Sequence, residues 1–231
     1  MNRAARLSAA PIMCLTQDGL PWSHTEQARR LCSGGARWIQ VRIKNLATPE
    51  WIHTAREIAK ICREYDVLCV INDSVEVALA ADADGVHLGK NDLGWIEARR
   101  LLGPGKILGG TVNDLADAER ATASNVLDYV GIGPWRFTKN KINLAPILGA
   151  SGIASLLPIL NGIPAWAIGA IESSDLADVK AIGCAGAAVS SAIFRDGEIE
   201  KNVAALHAKW SAAMPVRNNL RAPRLSSAST L

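Results

Sequence analysis

The sequence predicts an α/β fold, a single-domain (β/α)8 TIM barrel, from three observations. Eight short apolar runs recur along 231 residues, helix-patterned segments separate them, and polar residues gather where the runs end. The runs are apolar at nearly every position instead of alternating, as expected of parallel strands covered on both faces. Barrels of this kind commonly fill about 200–250 residues without division.

Taken in order, the first strand is expected over Pro11 to Thr16, where Ile12-Met13-Cys14-Leu15 is wholly apolar. The second spans Arg37 to Arg42, and a helix follows over Thr48 to Tyr65, opened by Thr48-Pro49-Glu50 with proline in the first turn. Strands then fall at Leu68 to Asn72 and Gly85 to Leu88, followed by Lys106 to Thr111 and a helix over Asn113 to Ala123. Asp128 to Ile132 and Ala165 to Gly169 come next, then a helix over Ser173 to Ile182, a strand at Ala187 to Ser190 and a helix over Ile199 to Ala213. Three helix-to-strand junctions echo one another: Ala83-Asp84-Gly85-Val86, Leu127-Asp128-Tyr129-Val130 and Cys184-Ala185-Gly186-Ala187. A doubly wound open sheet of about six strands is the alternative. It requires two of these strands to be absent, and no G-x-G-x-x-G follows the first strand, which weakens a dinucleotide-binding version. The expected division is an N-terminal extension over residues 1–10, the barrel over 11–214 and a disordered basic tail over 215–231.

Composition narrows the class. With 49% hydrophobic and 20% charged residues the chain builds a substantial core. Its net charge of +3 matches three arginines, Arg217, Arg221 and Arg224, in a terminal stretch without acidic residues, so the rest is near neutral. Dispersed arginines among Ser, Asn, Pro and Ala read as a solvated end, and no nucleic-acid partner is expected. The five cysteines show no C-x-x-C pair or zinc spacing; Cys14 and Cys69 sit in apolar runs as small hydrophobes, which fits a reducing cytoplasm. Neither a signal-peptide core nor an uncharged apolar stretch of about 18 residues occurs, so no membrane association is expected. The seven tryptophans read as packing residues, with Trp135 alone placed to touch a ligand.

Chemistry is concentrated at the strand ends, where a barrel builds its site. Gln40, Arg42 and Lys44 occupy alternate positions, and period-two spacing sends them to one side, where Arg and Lys together suit a phosphate. A solvated strand edge with surface ion pairs is the plainer reading. Asn72-Asp73 and Asp92 end or follow the next two runs; two aspartates suit Mg²⁺, which takes one or two carboxylates plus substrate phosphates. Alternatively, Asp73 caps a helix starting at Ser74 and Asp92 one starting at Leu93. His87 is a proton-donor or ring-contact candidate set against a structural hydrogen-bonding role, and His24, His53 and His207 receive no assignment. Gly131-Ile132-Gly133-Pro134 followed by Thr138, Lys139, Asn140 and Lys141 forms either a phosphate-contacting lid or a Gly/Pro turn with surface lysines. The segments Ile168-Gly169-Ala170 and Val189-Ser190-Ser191 fall where barrels often cradle phosphate with backbone N–H groups.

In order and spacing, these motifs resemble the thiamine phosphate synthase family over roughly residues 11 to 196. Its Q-x-R-x-K, N-D and G-V-H-L-G-x-x-D segments match Gln40 to Lys44, Asn72-Asp73 and Gly85 to Asp92, and G-x-G-P, a later lysine, I-G and V-x-S-A follow. The resemblance implies a Mg²⁺-dependent transferase that condenses 4-amino-2-methyl-5-hydroxymethylpyrimidine diphosphate with 4-methyl-5-(2-phosphoethyl)thiazole, giving thiamine monophosphate and pyrophosphate. It implies Arg42, Lys44 and Lys141 as catalytic cations, and Gln40, Val41, Arg42, Ile43, Lys44, Asn72, Thr111 and Lys141 around the pyrimidine diphosphate. Thr138, Lys139, Asn140, Gly169, Ser190 and Ser191 take the thiazole phosphate, and Asp73 and Asp92 the metal. The partners implied are small phosphorylated molecules, with a homo-oligomer as a further expectation. Three departures fall on the thiazole side: Asn140 replaces a threonine, Ala170 a glycine, and Ser190 an apolar residue. A thiazole tautomerase-like isomerase and a noncatalytic phosphate sensor are the alternatives on the same barrel.

Overall fold

The computed structural model describes residues 3–138 and 145–214. Eight parallel strands, β1 (Ile12–Leu15), β2 (Trp38–Val41), β3 (Leu68–Asn72), β4 (Gly85–Leu88), β5 (Ile107–Val112), β6 (Tyr129–Ile132), β7 (Ala165–Ile168) and β8 (Gly186–Val189), pair in chain order. The barrel closes where β8 returns to β1 with Ile12 opposite Ala187 and Cys14 opposite Val189. Each strand lies within one residue of its expected ends, and closure excludes the open sheet.

The helices are α1 (Arg3–Ser8), α2 (His24–Ser33), α3 (Thr48–Glu64), α4 (Val75–Ala80), α5 (Trp95–Leu102), α6 (Leu115–Ser124), α7 (Gly149–Leu156), α8 (Leu176–Ala181) and α9 (Ile199–Ala212). The helix expected over Ser173 to Ile182 divides into a 3-10 turn, Ser173–Asp175, and α8. Glu172 and Asp175 cap each other's backbone N–H groups there, which holds the tighter turn apart from the α-helix. None of the described helices is long and apolar enough to cross a membrane.

Strand alternation sorts the side chains into two cores. Ile12, Cys14, Ile39, Val41, Cys69, Ile71, Val86 and Leu88 face outward against the helices. Met13, Leu15, Trp38, Leu68, Val70, Ile107, Tyr129, Trp166 and Ala188 fill the barrel. At its centre Trp38 meets Tyr129 at 4.7 Å and Trp166 at 5.0 Å between ring centroids, both edge-on, the arrangement favoured by the ring quadrupoles. Glycines on adjacent strands make room: a Cβ on Gly109 would overlap the Tyr129 ring, and one on Gly186 the Trp166 indole. Trp135 is buried in the outer core, in keeping with the reading of the tryptophans as packing residues.

The N-terminal stretch has a packing role that its sequence does not show. Leu7 and Ala10 join the interior cluster, so α1 covers one end of the barrel. Arg6 binds Asp84 at 2.6 Å and Arg3 binds Asp128 at 3.3 Å. Those aspartates are the echoed junction residues, and each accepts a backbone N–H from the neighbouring strand, Asp84 from Cys69 and Asp128 from Leu108, both at 2.8 Å. In two of the three echoed junctions the echo therefore records a staple between strand starts, while the third has Ala185 at that place. At the seam, Arg30 on α2 makes two 2.7 Å hydrogen bonds to Glu200 on α9, tying the first and last helical layers.

All five cysteines are reduced and buried. Burial, with Cys32 nearby, pushes the Cys14 thiol up to about 12, as suits an inert hydrophobe. The tail 215–231 lies outside the described residues.

Candidate active site

The rim is built where the strands run out. Gln40 turns into the barrel, 3% exposed, with Nε2 3.3 Å from Met13 Sδ. Arg42 and Lys44 lie just past β2. Val41 and Ile43 turn their side chains into the outer core, so any part they take in ligand binding is through the backbone. Asn72 ends β3 opposite His87 in register and is nearly buried.

Asp73 follows with φ of +72°, a left-handed conformation that aspartate tolerates better than most residues, and donates its N–H to His87 O at 2.8 Å. Its carboxylate contacts Lys44 Nζ directly. Asp92 accepts the Gly89 N–H at 2.6 Å and lies within hydrogen-bonding reach of Asp73. Burial raises the Asp92 pKa and Asp73 raises it further, against the opposing pull of the Gly89 N–H and Lys44. Neither aspartate is a helix cap. Ser74 caps α4 by accepting from Val77 N, and α5 begins only at Trp95 after Gly94. With capping removed, two facing carboxylates and one lysine remain as a charged group at the rim. Among the described residues no set of three or more acidic, His or Cys ligands forms a cage. A pair of hard oxygen donors is nonetheless what Mg²⁺ uses when substrate phosphates complete its shell, so the donor set fits.

His87 bridges two hydroxyls, Tyr129 Oη at 3.1 Å through Nδ1 and Thr111 Oγ1 at 3.0 Å through Nε2. With both nitrogens engaged, the ring orients Thr111 at the rim and anchors it to the aromatic core.

On the other side, the chain after β6 zips onto the chain after β7. Trp135 N donates to Ile168 O at 2.8 Å and Arg136 N to Gly169 O at 3.0 Å. Arg136 also reaches Ala170 O at 3.0 Å and the buried Asp175 carboxylate. Gly169 has φ of +110°, and a Cβ there would sit 2.8 Å from Trp135 N, so close approach and conformation both require glycine. Ala170 follows with φ of +51° despite its methyl group. Ser190 donates to Gln17 Oε1 at 3.0 Å, and Ser191 lies in the turn beyond β8. Thr138 is the last described residue before the gap; Lys139, Asn140 and Lys141 lie outside the described residues.

The structure thus brings together Gln40, Arg42, Lys44, Asn72, Asp73, His87, Asp92 and Thr111 at the ends of β2 to β5. Sequence reading missed the loop after β1, where Thr16, Gln17 and Asp18 touch both halves of the rim. The only available signal was the polar Thr16-Gln17-Asp18 at the end of an apolar strand.

Fold and rim together define a (β/α)8 barrel protein equipped to hold a charged ligand at its strand C-termini. A family model described as thiamine monophosphate synthase matches residues 12–193. A thiamine-phosphate synthase from Bacteroides fragilis (strain YCH46) is 40% identical over 185 residues, 78% of this chain and 90% of that protein. One from Methanoculleus marisnigri is 38% identical over 191 residues, covering 83% and 90%. The solved thiamine phosphate pyrophosphorylase from Pyrococcus furiosus superposes with TM-score 0.81 at 31% identity, covering 91% of this chain and 99% of that one. The chain belongs to the thiamine monophosphate synthase family.

Proposed function

We propose that this protein condenses 4-amino-2-methyl-5-hydroxymethylpyrimidine diphosphate with 4-methyl-5-(2-phosphoethyl)thiazole, releasing pyrophosphate and forming thiamine monophosphate. The observation that carries the reading is the contact of Lys44 with Asp73 beside Asp92 on the rim of a barrel of this family. Arg42, Lys44 and Lys141 are the cations for the diphosphate, Arg42 through paired donors and the lysines as point charges. Asp73 and Asp92 would hold Mg²⁺, which when bound supplies positive charge beside the leaving diphosphate.

The carbon–oxygen bond to diphosphate breaks, its electron pair leaves with pyrophosphate, and positive charge on the methylene spreads into the aminopyrimidine ring. Gln40, Asn72 and Thr111 seat that ring, with Thr111 held by His87. The thiazole nitrogen supplies the electron pair of the new carbon–nitrogen bond, so no protein nucleophile takes part. Catalysis then consists of aligning two substrates and stabilising charge on the leaving group. Thr138, Lys139, Asn140, Gly169, Ser190 and Ser191 are assigned to the thiazole phosphate. An isomerase of the thiazole alone has no use for the paired aspartates and the lysine that contacts Asp73.

Incubation with both substrates and Mg²⁺, followed by mass detection, tests the reading. Thiamine monophosphate and pyrophosphate are expected only when all three are present. Folded protein that yields neither overturns the proposal.

A further inference from the structure

We propose that the loop joining β1 to α2 is a brace that sets the positions of both substrate sites, with Thr16, His24 and Asp18 positioning the cationic segment and Gln17 positioning Ser190. This rests on the reading of Arg42 and Lys44 as the diphosphate cations and Ser190 as part of the acceptor site.

The brace is a ring of hydrogen bonds. Arg42 N donates to Thr16 Oγ1 at 3.0 Å, and Lys44 N donates to Asp18 Oδ2 at 3.1 Å. His24 joins the two acceptors, with Nδ1 2.9 Å from Thr16 Oγ1 and Nε2 3.0 Å from Asp18 Oδ1. A carboxylate only accepts, so His24 Nε2 carries a proton toward Asp18. In the neutral ring Nδ1 then accepts the Thr16 hydroxyl proton, leaving the Thr16 oxygen to accept from Arg42. All donors run in one direction, from the Arg42 amide to the Asp18 carboxylate, and the Lys44 amide closes the ring on the other carboxylate oxygen. Thr16 is 1% exposed, so an unmade bond there leaves a buried polar group without a partner.

The ring grips the backbone amides of the two cationic residues and leaves the Lys44 side chain to meet Asp73. Arg42 and Lys44 lie beyond the end of β2, and the ring meets their backbone there. The same loop is fastened to α2 by Gln27, which accepts from Gln17 N at 2.9 Å and donates to Gln17 O at 2.8 Å. From that fixed backbone, the Gln17 side chain accepts from Ser190 Oγ at 3.0 Å. One loop therefore sets the diphosphate cations through its hydroxyl and carboxylate, and the end of β8 through its amide.

The test separates these two arms. Thr16→Val keeps the side-chain shape and removes the hydroxyl; Thr16→Ser keeps the hydroxyl. His24→Phe keeps a ring without nitrogens, and Gln17→Leu removes the acceptor facing Ser190. Thr16→Val and His24→Phe are expected to raise KM for the pyrimidine diphosphate about tenfold, with KM for the thiazole phosphate moving less than about twofold. Thr16→Ser restores the former, and Gln17→Leu shows the opposite split. Inorganic pyrophosphate with Mg²⁺, titrated by calorimetry, reads the first arm without turnover, and Thr16→Val is expected to bind it about tenfold more weakly than wild type. The brace is overturned if folded Thr16→Val binds pyrophosphate as tightly as wild type, or if both arms raise both KM values equally. Absence of product from wild-type protein overturns the condensation reading instead, and the pyrophosphate titration still decides the brace.

Discussion

Replacing Gly109 by alanine tests whether the aromatic core supports the site floor. Gly109 sits opposite Tyr129 in the β5–β6 register, and an added Cβ would lie 2.5 Å from the phenol oxygen and overlap the ring carbons. Its φ is not in the left-handed range, so the substitution by itself would stabilise the chain by about 0.4–1 kcal/mol through the unfolded state. Against that, overpacking costs roughly 1–3 kcal/mol. Pushing Tyr129 aside also breaks its 3.1 Å bond to His87 in a buried setting, about 1–3 kcal/mol more. The clash wins, with a net loss of roughly 1–5 kcal/mol, a large share of the stability of an ordinary domain. Urea unfolding measures it, and a cycle with Tyr129→Leu identifies the cause. In that background the ring is gone, and the added methyl is expected to cost less than about 1 kcal/mol. Wild-type stability for Gly109→Ala, or an equal cost in both backgrounds, refutes the reasoning.

Ala170→Gly relieves a left-handed alanine worth about 1–2 kcal/mol and incurs about 0.4–1 kcal/mol of unfolded-state entropy, so a gain of up to about 1.6 kcal/mol is expected in thermal or urea unfolding. Asp92→Asn removes one of two facing carboxylates; the Mg²⁺ concentration for half-maximal turnover is expected to rise at least about tenfold in a metal titration, with the fold retained by circular dichroism. His207 on α9 is held below its ordinary pKa by burial first and by Arg37 second, and its Nε2 has no hydrogen-bond partner. The unfolded chain therefore binds the proton more readily, so stability is full above the unfolded histidine pKa near 6.5 and falls as pH drops toward the folded value. His207→Leu is expected to flatten that acid limb in urea melts between pH 5 and 8, whereas an unchanged limb assigns it to other groups.

Much of this protein was legible along the chain. Apolar runs such as Ile12 to Leu15 and Leu68 to Ile71 stand out because parallel strands bury both faces, and that local requirement is written residue by residue. The positions of Arg42, Lys44, Asp73 and Asp92 were legible for the same reason, since charge has no place within such a strand and marks where it ends.

Other features depend on what the closed barrel brings side by side. The sequence left Asp73 and Asp92 open between capping and metal binding. Capping was removed by Ser74 and Gly94 starting the helices, and the pairing of β3 with β4 sets the two loops as neighbours. Leu7 reads as part of an extension until α1 is seen to cover the barrel. Thr16, Asp18 and His24 are unremarkable in a line of residues, because hydrogen bonds to Arg42 and Lys44 join positions about two dozen apart and exist only after β1 and β2 align. Strand identity and the chemical type of the rim residues are local properties, which the chain determines by itself. Which polar groups share a proton, a cation or a wall is set by closure of the sheet, and only the tertiary structure decides it.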